Sequence, residues 1–268
     1  MTPWLACPDP RPRARLRLVC FPHAGGSAAF FHRWGRALPD IEVHAVRYPG
    51  RADRIAEPPP TGVLQLAHDT AQAVLATGDG PVALFGHSLG ATVAFETARA
   101  LRAEGAEPTH LFVSGSRAPH QPPSDLARRA ARDDAGIVAT LRELGGTDDR
   151  LLDTPLFRDV VLPTIRGDFH LADTYRLDPA APLTCPLTAL VGDTDPEVSA
   201  ADCAAWSPHT RGPFTHQVLP GDHFYLAADP PFPVLLDRLA TTTAEPRAGD
   251  GPRHPAPVSS GTGERHRR

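Results

Sequence analysis

Short apolar runs alternate along the chain with longer stretches in which apolar residues recur every three or four positions. A strand buried on both faces reads as a continuous apolar run, whereas its crossover helix shows one apolar stripe. The alternation therefore predicts βα units stacked into a mostly parallel sheet flanked by helices. Strands are expected at residues 16–22 (LRLVCFP), 42–48 (EVHAVRY), 82–85, 110–114 (HLFVS), 187–191 (LTALV) and 216–219. Helices are expected near residues 30–38, 63–76, 91–103 and 232–239.

The rhythm breaks between residues 118 and 178, which hold no credible strand but show helical patterns at 126–133, 137–144 and 156–175. A loop of that length without structure is uncommon, and such insertions often cover a site, so a helical lid is expected here. Residues 1–15 read as an N-terminal extension, and residues 16–240 as one α/β domain. From residue 241 to 268, Pro, Gly, Ser and charged residues dominate, with one Val as the only large apolar residue. That tail cannot bury enough surface to offset the entropy of ordering and is expected to be disordered.

Composition narrows the function. The net charge of −4 over 268 residues argues against a nucleic-acid binder, which normally carries a basic face. All 27 basic residues are Arg, and the chain has no Lys and no Asn, the mark of a GC-rich genome rather than of a function. Cys7, Cys20, Cys185 and Cys203 form no C-x-x-C pair and read as packing residues, and no metal is expected. No signal-peptide pattern opens the chain, and no apolar run approaches the ~18 residues of a membrane span. A cytoplasmic protein is expected.

The strongest chemical signal is Gly86-His87-Ser88-Leu89-Gly90, a G-x-S-x-G pentapeptide between an expected strand (PVALF) and an expected helix (ATVAFETARAL). In that context the serine occupies a strained turn, and side chains in place of the flanking glycines would clash with neighbouring elements. A serine hydroxyl needs a base, which follows an acid in chain order in this arrangement. Among the later histidines, His223 stands in a turn just after the last expected strand, where a side chain can reach over the sheet edge. His209, His216, His170, His254 and His266 fall in a polar loop, the last strand, the insertion and the tail.

Two carboxylates, Asp193 and Asp195, follow the expected strand at 187–191, and either can supply the acid that orients the imidazole. An oxyanion hole needs the amide after the nucleophile, that of Leu89, and one from the loop after an early strand. Residues 21–27 (FPHAGGS) fit the second place, with His23 shaping the loop. The insertion also carries Arg128, Arg129, Arg132 and Arg142 among Asp125, Asp133, Asp134 and Glu143. These arginines form either a solvated mixed-charge face or a patch that steers an acidic partner.

FPHAGGSA (21–28), YPGRADR (48–54), FGHSLGA (85–91), GDTDPEV (192–198) and PGDHFYL (220–226) follow one another in an order that resembles the type II thioesterases of nonribosomal peptide and polyketide biosynthesis. The resemblance covers residues 16–240 and implies an α/β-hydrolase fold. It implies Ser88, Asp195 and His223 as catalytic triad, Ala24 and Leu89 as oxyanion-hole amides, and a helical lid whose LPTIRGDFHLADTY segment (162–175) is similar to the family's lid helix. It further implies no cofactor, and an acyl or peptidyl carrier protein bearing a phosphopantetheine-linked acyl group as partner; a monomer is expected. Asp222 departs from the family pattern, which often has a small or neutral residue beside the histidine. A small-molecule esterase or lipase, and a non-catalytic α/β-hydrolase binding module, are the competing readings.

Overall fold

Within each strand, successive side chains point to opposite faces of the sheet, and that alternation sorts the core into two layers. The computed structural model describes residues 3–131 and 133–240. The expected disordered tail, 241–268, and Arg132 lie outside the described residues. The seven strands are β1 (Leu5–Ala6), β2 (Leu16–Phe21), β3 (Ile41–Val46), β4 (Val82–His87), β5 (His110–Ser114), β6 (Leu187–Gly192) and β7 (Phe214–Leu219). They form one sheet in the order β1-β3-β2-β4-β5-β6-β7. All neighbours are parallel except β1, which pairs antiparallel with β3, Leu5 opposite Val46.

Val19, Phe21, Leu84, Leu111, Val113, Ala189 and Val191 face one layer, together with helices α2 (Val63–Leu75) and α3 (Leu89–Ala103). Leu18, Cys20, Phe85, Phe112 and Leu190 face the other, against α1 (Trp34–Ala37) and α10 (Phe232–Ala240). Full burial of each such aliphatic or aromatic side chain contributes roughly 1.5–3 kcal/mol, so the two layers hold β4 rigidly near the centre of the sheet.

Two expectations need amendment. The N-terminal extension supplies β1, a two-residue edge strand too short to show any hydrophobic period. The helix expected at 30–38 divides into a 3-10 turn, Ala28–Phe31, and α1. Across this break the rings of Phe31 and Trp34 lie 6.2 and 4.9 Å from that of Phe85, both edge-to-face.

Between β5 and β6 the described residues of the insertion are helical: α4 (Asp125–Ala130), α5 (Asp134–Leu144), α6 (Asp149–Leu152) and α7 (Leu162–Thr174), the last preceded by a π turn at Phe157–Val161. Ser124 and Asp133 cap α4 and α5 by accepting backbone N–H bonds from Ala127 and Gly136. The helices share an apolar cluster of Ala130, Ile137, Leu141, Leu152, Phe157, Leu162 and Ile165. The insertion thus has a cluster of its own, while Leu171 of α7 joins the layer on the α2–α3 side of the sheet. Two further short helices, α8 (Ala200–Ala204) and α9 (Tyr225–Ala228), follow β6 and β7.

Candidate active site

Ser88 sits between β4 and α3 with φ 54° and ψ −123°, a region disfavoured for a residue with a side chain. The turn is held by the Ser88 amide, which donates to the Ser114 carbonyl at 2.8 Å. Its glycines are sterically required. A Cβ on Gly86 would lie 2.1 Å from the Gly90 carbonyl oxygen, and one on Gly90 would lie 2.2 Å from that of Phe21. The closeness of Gly90 to Phe21 seats the start of α3 directly against the loop that follows β2. Leu89 is the first residue of α3, so its amide is among those a helix leaves without an internal partner.

The loop after β2 carries Ala24, which lines the same cavity as Ser88 and Leu89. Its turn is closed by the Gly26 amide donating to the His23 carbonyl at 2.9 Å. The His23 ring is enclosed edge-to-face by Phe30 and Phe224 at 5.0 and 4.9 Å. Burial, with His223 and Arg51 nearby, pushes His23 down to about 4, so it stays neutral near pH 7.

His223 and Asp195 come from neighbouring loops that lace together. The Asp193 amide donates to the Leu219 carbonyl at 2.7 Å, and the Thr194 amide to that of Gly221 at 3.0 Å. The Gly221 amide returns a bond to the Asp193 carboxylate at 2.8 Å. Asp193 is therefore engaged in the turn. Asp195 Oδ2 lies 2.8 Å from His223 Nδ1, while Asp195 Oδ1 accepts the amides of Glu197 and Val198 at 2.8 and 3.1 Å. A carboxylate can only accept, so Nδ1 carries the proton and Nε2 presents its lone pair. Asp222 accepts the Phe224 amide at 2.8 Å, a local turn bond.

His223 and Ser88 line one cavity of about 590 Å³, within the usual range for a small-molecule site. The insertion builds a wall of it, with Thr140, Leu141, Leu144, Phe169 and Ala172 among the lining residues. Three features were not anticipated. His87 Nδ1 lies 3.0 Å from the Ser114 hydroxyl, which lies 2.7 Å from that of Tyr225, and burial holds His87 well below its usual pKa. Glu197 lines the cavity with its pKa raised by burial and accepts the Ser124 hydroxyl at 2.7 Å. Arg51 and Asp168 form a buried ion pair beside Gly25. The YPGR and GDF residues around that pair were visible in the sequence, but nothing there said that they meet.

Among the described residues, Cys7, Glu42 and His44 bring three potential metal-ligand atoms within 4.8 Å of one another. They lie at the β1–β3 edge, and none lines the cavity. Glu42 is already engaged by His44 Nε2 and by the Arg11 amide, each at 2.7 Å. Among the described residues no helix is long and apolar enough to cross a membrane.

Comparison with known proteins gives the family and the fold. The family model of the thioesterase domain matches residues 16–242. Thioesterase PikA5 of Streptomyces venezuelae is 46% identical over 226 residues, spanning 83% of this chain and 80% of the relative. The structure of the type II thioesterase BorB, from the borrelidin biosynthetic cluster, superposes with a TM-score of 0.78 at 43% identity, covering 88% of this chain and 97% of that one. YbtT, a type II thioesterase from the yersiniabactin NRPS/PKS pathway, gives 0.81 at 32% identity, covering 90% and 100%. The chain belongs to the thioesterase family and has its α/β-hydrolase fold.

Proposed function

We propose that this chain is a stand-alone serine thioesterase that hydrolyses acyl groups from the phosphopantetheine arm of an acyl or peptidyl carrier protein, editing or regenerating a polyketide or nonribosomal peptide synthase. The observation that carries the reading is the His223–Asp195 pair lining one cavity with a serine on a strained strand–helix turn. In this reading His223 Nε2 takes the Ser88 proton as Oγ attacks the thioester carbonyl. The tetrahedral oxyanion is received by the Ala24 and Leu89 amides, and its collapse expels the thiol, which takes the proton from imidazolium. Water then attacks the acyl-serine with His223 again as base, releasing the acid and restoring Ser88.

Asp195 holds the imidazole tautomer throughout, and the insertion acts as the lid over the acyl group. One chain supplies every group in this scheme, which fits a monomer. Its cysteines are unpaired, which fits a reducing cytoplasm. The membership of type II thioesterases from NRPS/PKS pathways among its structural relatives supports the carrier-borne substrate.

The test compares kcat/KM for acyl-carrier thioesters with that for matched oxygen esters. A clear preference for the carrier thioester is expected. A preference for free oxygen esters would replace this reading with a small-molecule esterase.

A further inference from the structure

The insertion and the loop after β2 are joined by a buried charged contact. Arg51, in the loop after β3, places Nη1 2.6 Å from Asp168 Oδ2 and Nη2 2.5 Å from Asp168 Oδ1, a two-pronged pair. Their side chains are only 8% and 2% exposed. The same Oδ2 accepts the Gly25 amide at 2.7 Å, and Arg51 Nη1 donates to the Gly26 carbonyl at 3.2 Å. The pair thus grips the loop by a donor on one residue and an acceptor on the next.

Two more residues, Ile165 and Tyr48, make this a three-way junction. Ile165 stands one turn before Asp168 on α7, and a Cβ on Gly25 would lie 2.7 Å from its Cγ1. Gly25 has φ +74°, so only glycine suits both the backbone and the approach of α7. Beneath, the Tyr48 hydroxyl donates to the Pro22 carbonyl at 3.2 Å, and its ring lies 5.2 Å from the Arg51 guanidinium carbon. Every bond converges on residues 22–26, on either side of Ala24.

We propose that Arg51 and Asp168 are positioning residues: their pairing holds the Gly25–Gly26 backbone so that the neighbouring Ala24 amide points at the developing oxyanion, and it does so only while α7 is docked. This rests on the assignment of Ser88 as nucleophile and Ala24 as oxyanion donor. The consequence is that lid docking and oxyanion stabilisation are one event. A lid lifted at α7 withdraws Asp168 from Gly25 and leaves the hole unset, so the acyl group is attacked only once it is enclosed.

A buried ion pair adds little net stability, yet removal of one charge strands the other, so a single charge-removing substitution cannot by itself separate positioning from folding. The decisive variant is the double replacement Arg51→Met with Asp168→Leu, which removes both charges and keeps apolar volume, measured beside Asp168→Asn and Ser88→Ala. The readouts are melting temperature, kcat and KM on an acyl-N-acetylcysteamine, and affinity for a boronic acid that forms a tetrahedral adduct on serine.

The expectation is a double variant that melts near the parent, with kcat about a hundredfold lower, KM within a few-fold, and boronate affinity reduced in step with kcat. A double variant that recovers both melting temperature and kcat would show a merely structural salt bridge and overturn the proposal. So would a fall in kcat with boronate affinity untouched. If the double variant fails to fold, Arg51→Lys, which keeps the charge but loses the two-pronged geometry, decides by the same split. Full turnover by Ser88→Ala would instead remove the nucleophile assignment on which the proposal stands, a result distinct from either failure.

Discussion

His223 Nδ1 lies 2.8 Å from Asp195 Oδ2, although the residues stand on different loops and neither side chain is more than 1% exposed. Asp193, two residues nearer the strand, spends its carboxylate on the Gly221 amide. Asp195→Asn is therefore expected to lower kcat by orders of magnitude, because the amide can donate to Nδ1 and favours the wrong tautomer. Asp193→Asn should be much milder, acting through the shape of the turn. Steady-state kinetics on one thioester decides between them, and a greater loss in Asp193→Asn would move the acid to that residue.

Ser88→Ala should leave the fold intact, since its amide, not its hydroxyl, bonds to Ser114. Loss of a triad nucleophile is expected to cost on the order of 10⁶ in kcat. A fluorophosphonate should label Ser88 alone in the parent and nothing in the variant. Labelling of another serine, with activity kept, would falsify the assignment.

The sequence made Ser88 and His223 legible for physical reasons. A strained turn flanked by two glycines leaves a local signature, and a histidine in the turn after the last strand is nearly a local one. The central parallel strands were legible because they are buried on both faces, as the continuous run at 187–191 illustrates, whereas β7 at the sheet edge exposes His216 and Gln217 and gave a shorter signal. The choice between Asp193 and Asp195 was not local, since it depends on how Gly192 lets the two loops meet: a Cβ there would lie 2.3 Å from the Gly221 and Asp222 carbonyl oxygens. The Arg51–Asp168 pair spans 117 residues, and no periodicity or spacing announces such a contact. Strand β1 escaped because two residues carry no period.

His110 sets a pH limit on stability. Its Nε2 lies 2.9 Å from the Thr188 hydroxyl and its ring stacks on Phe112 at 4.1 Å, with burial and then Arg238 pushing it down to about 4. Above its unfolded pKa near 6.5 the residue is neutral in both states and costs nothing. As pH falls from about 6.5 toward 4 the unfolded chain takes up a proton that the folded chain refuses, so stability falls with falling pH. The shift corresponds to an upper bound of roughly 3 kcal/mol at about 1.4 kcal/mol per pH unit. Urea titrations should show the stability difference between parent and His110→Gln moving in favour of the variant as pH drops from 7 to 4.5. A constant difference over that range would mean that His110 is not held neutral by the fold.

The arginines of the insertion bear on how a carrier protein approaches. Arg128 pairs with Asp125 at 2.5 Å, Arg129 with Glu143 at 2.6 Å, and Arg142 with Asp153 at 2.5 Å. Arg132, which belonged to the same expected patch, lies outside the described residues. An arginine with a carboxylate at contact distance presents a dipole to the surroundings, and at physiological salt its field fades within about 8 Å. Each exposed pair also contributes only about 0–1 kcal/mol to stability. The described geometry thus favours a solvated mixed-charge face over a steering patch. Replacement of a whole pair, Arg129→Gln with Glu143→Gln, is expected to change kcat/KM on a carrier-bound thioester by less than about twofold and to leave its salt dependence as in the parent, because the net charge of the face is unchanged. Turnover of a small acyl thioester should be equally unmoved. A large loss confined to the carrier-bound substrate, with a flatter salt dependence, would show instead that these pairs open on encounter and that the arginines guide the carrier to the cavity.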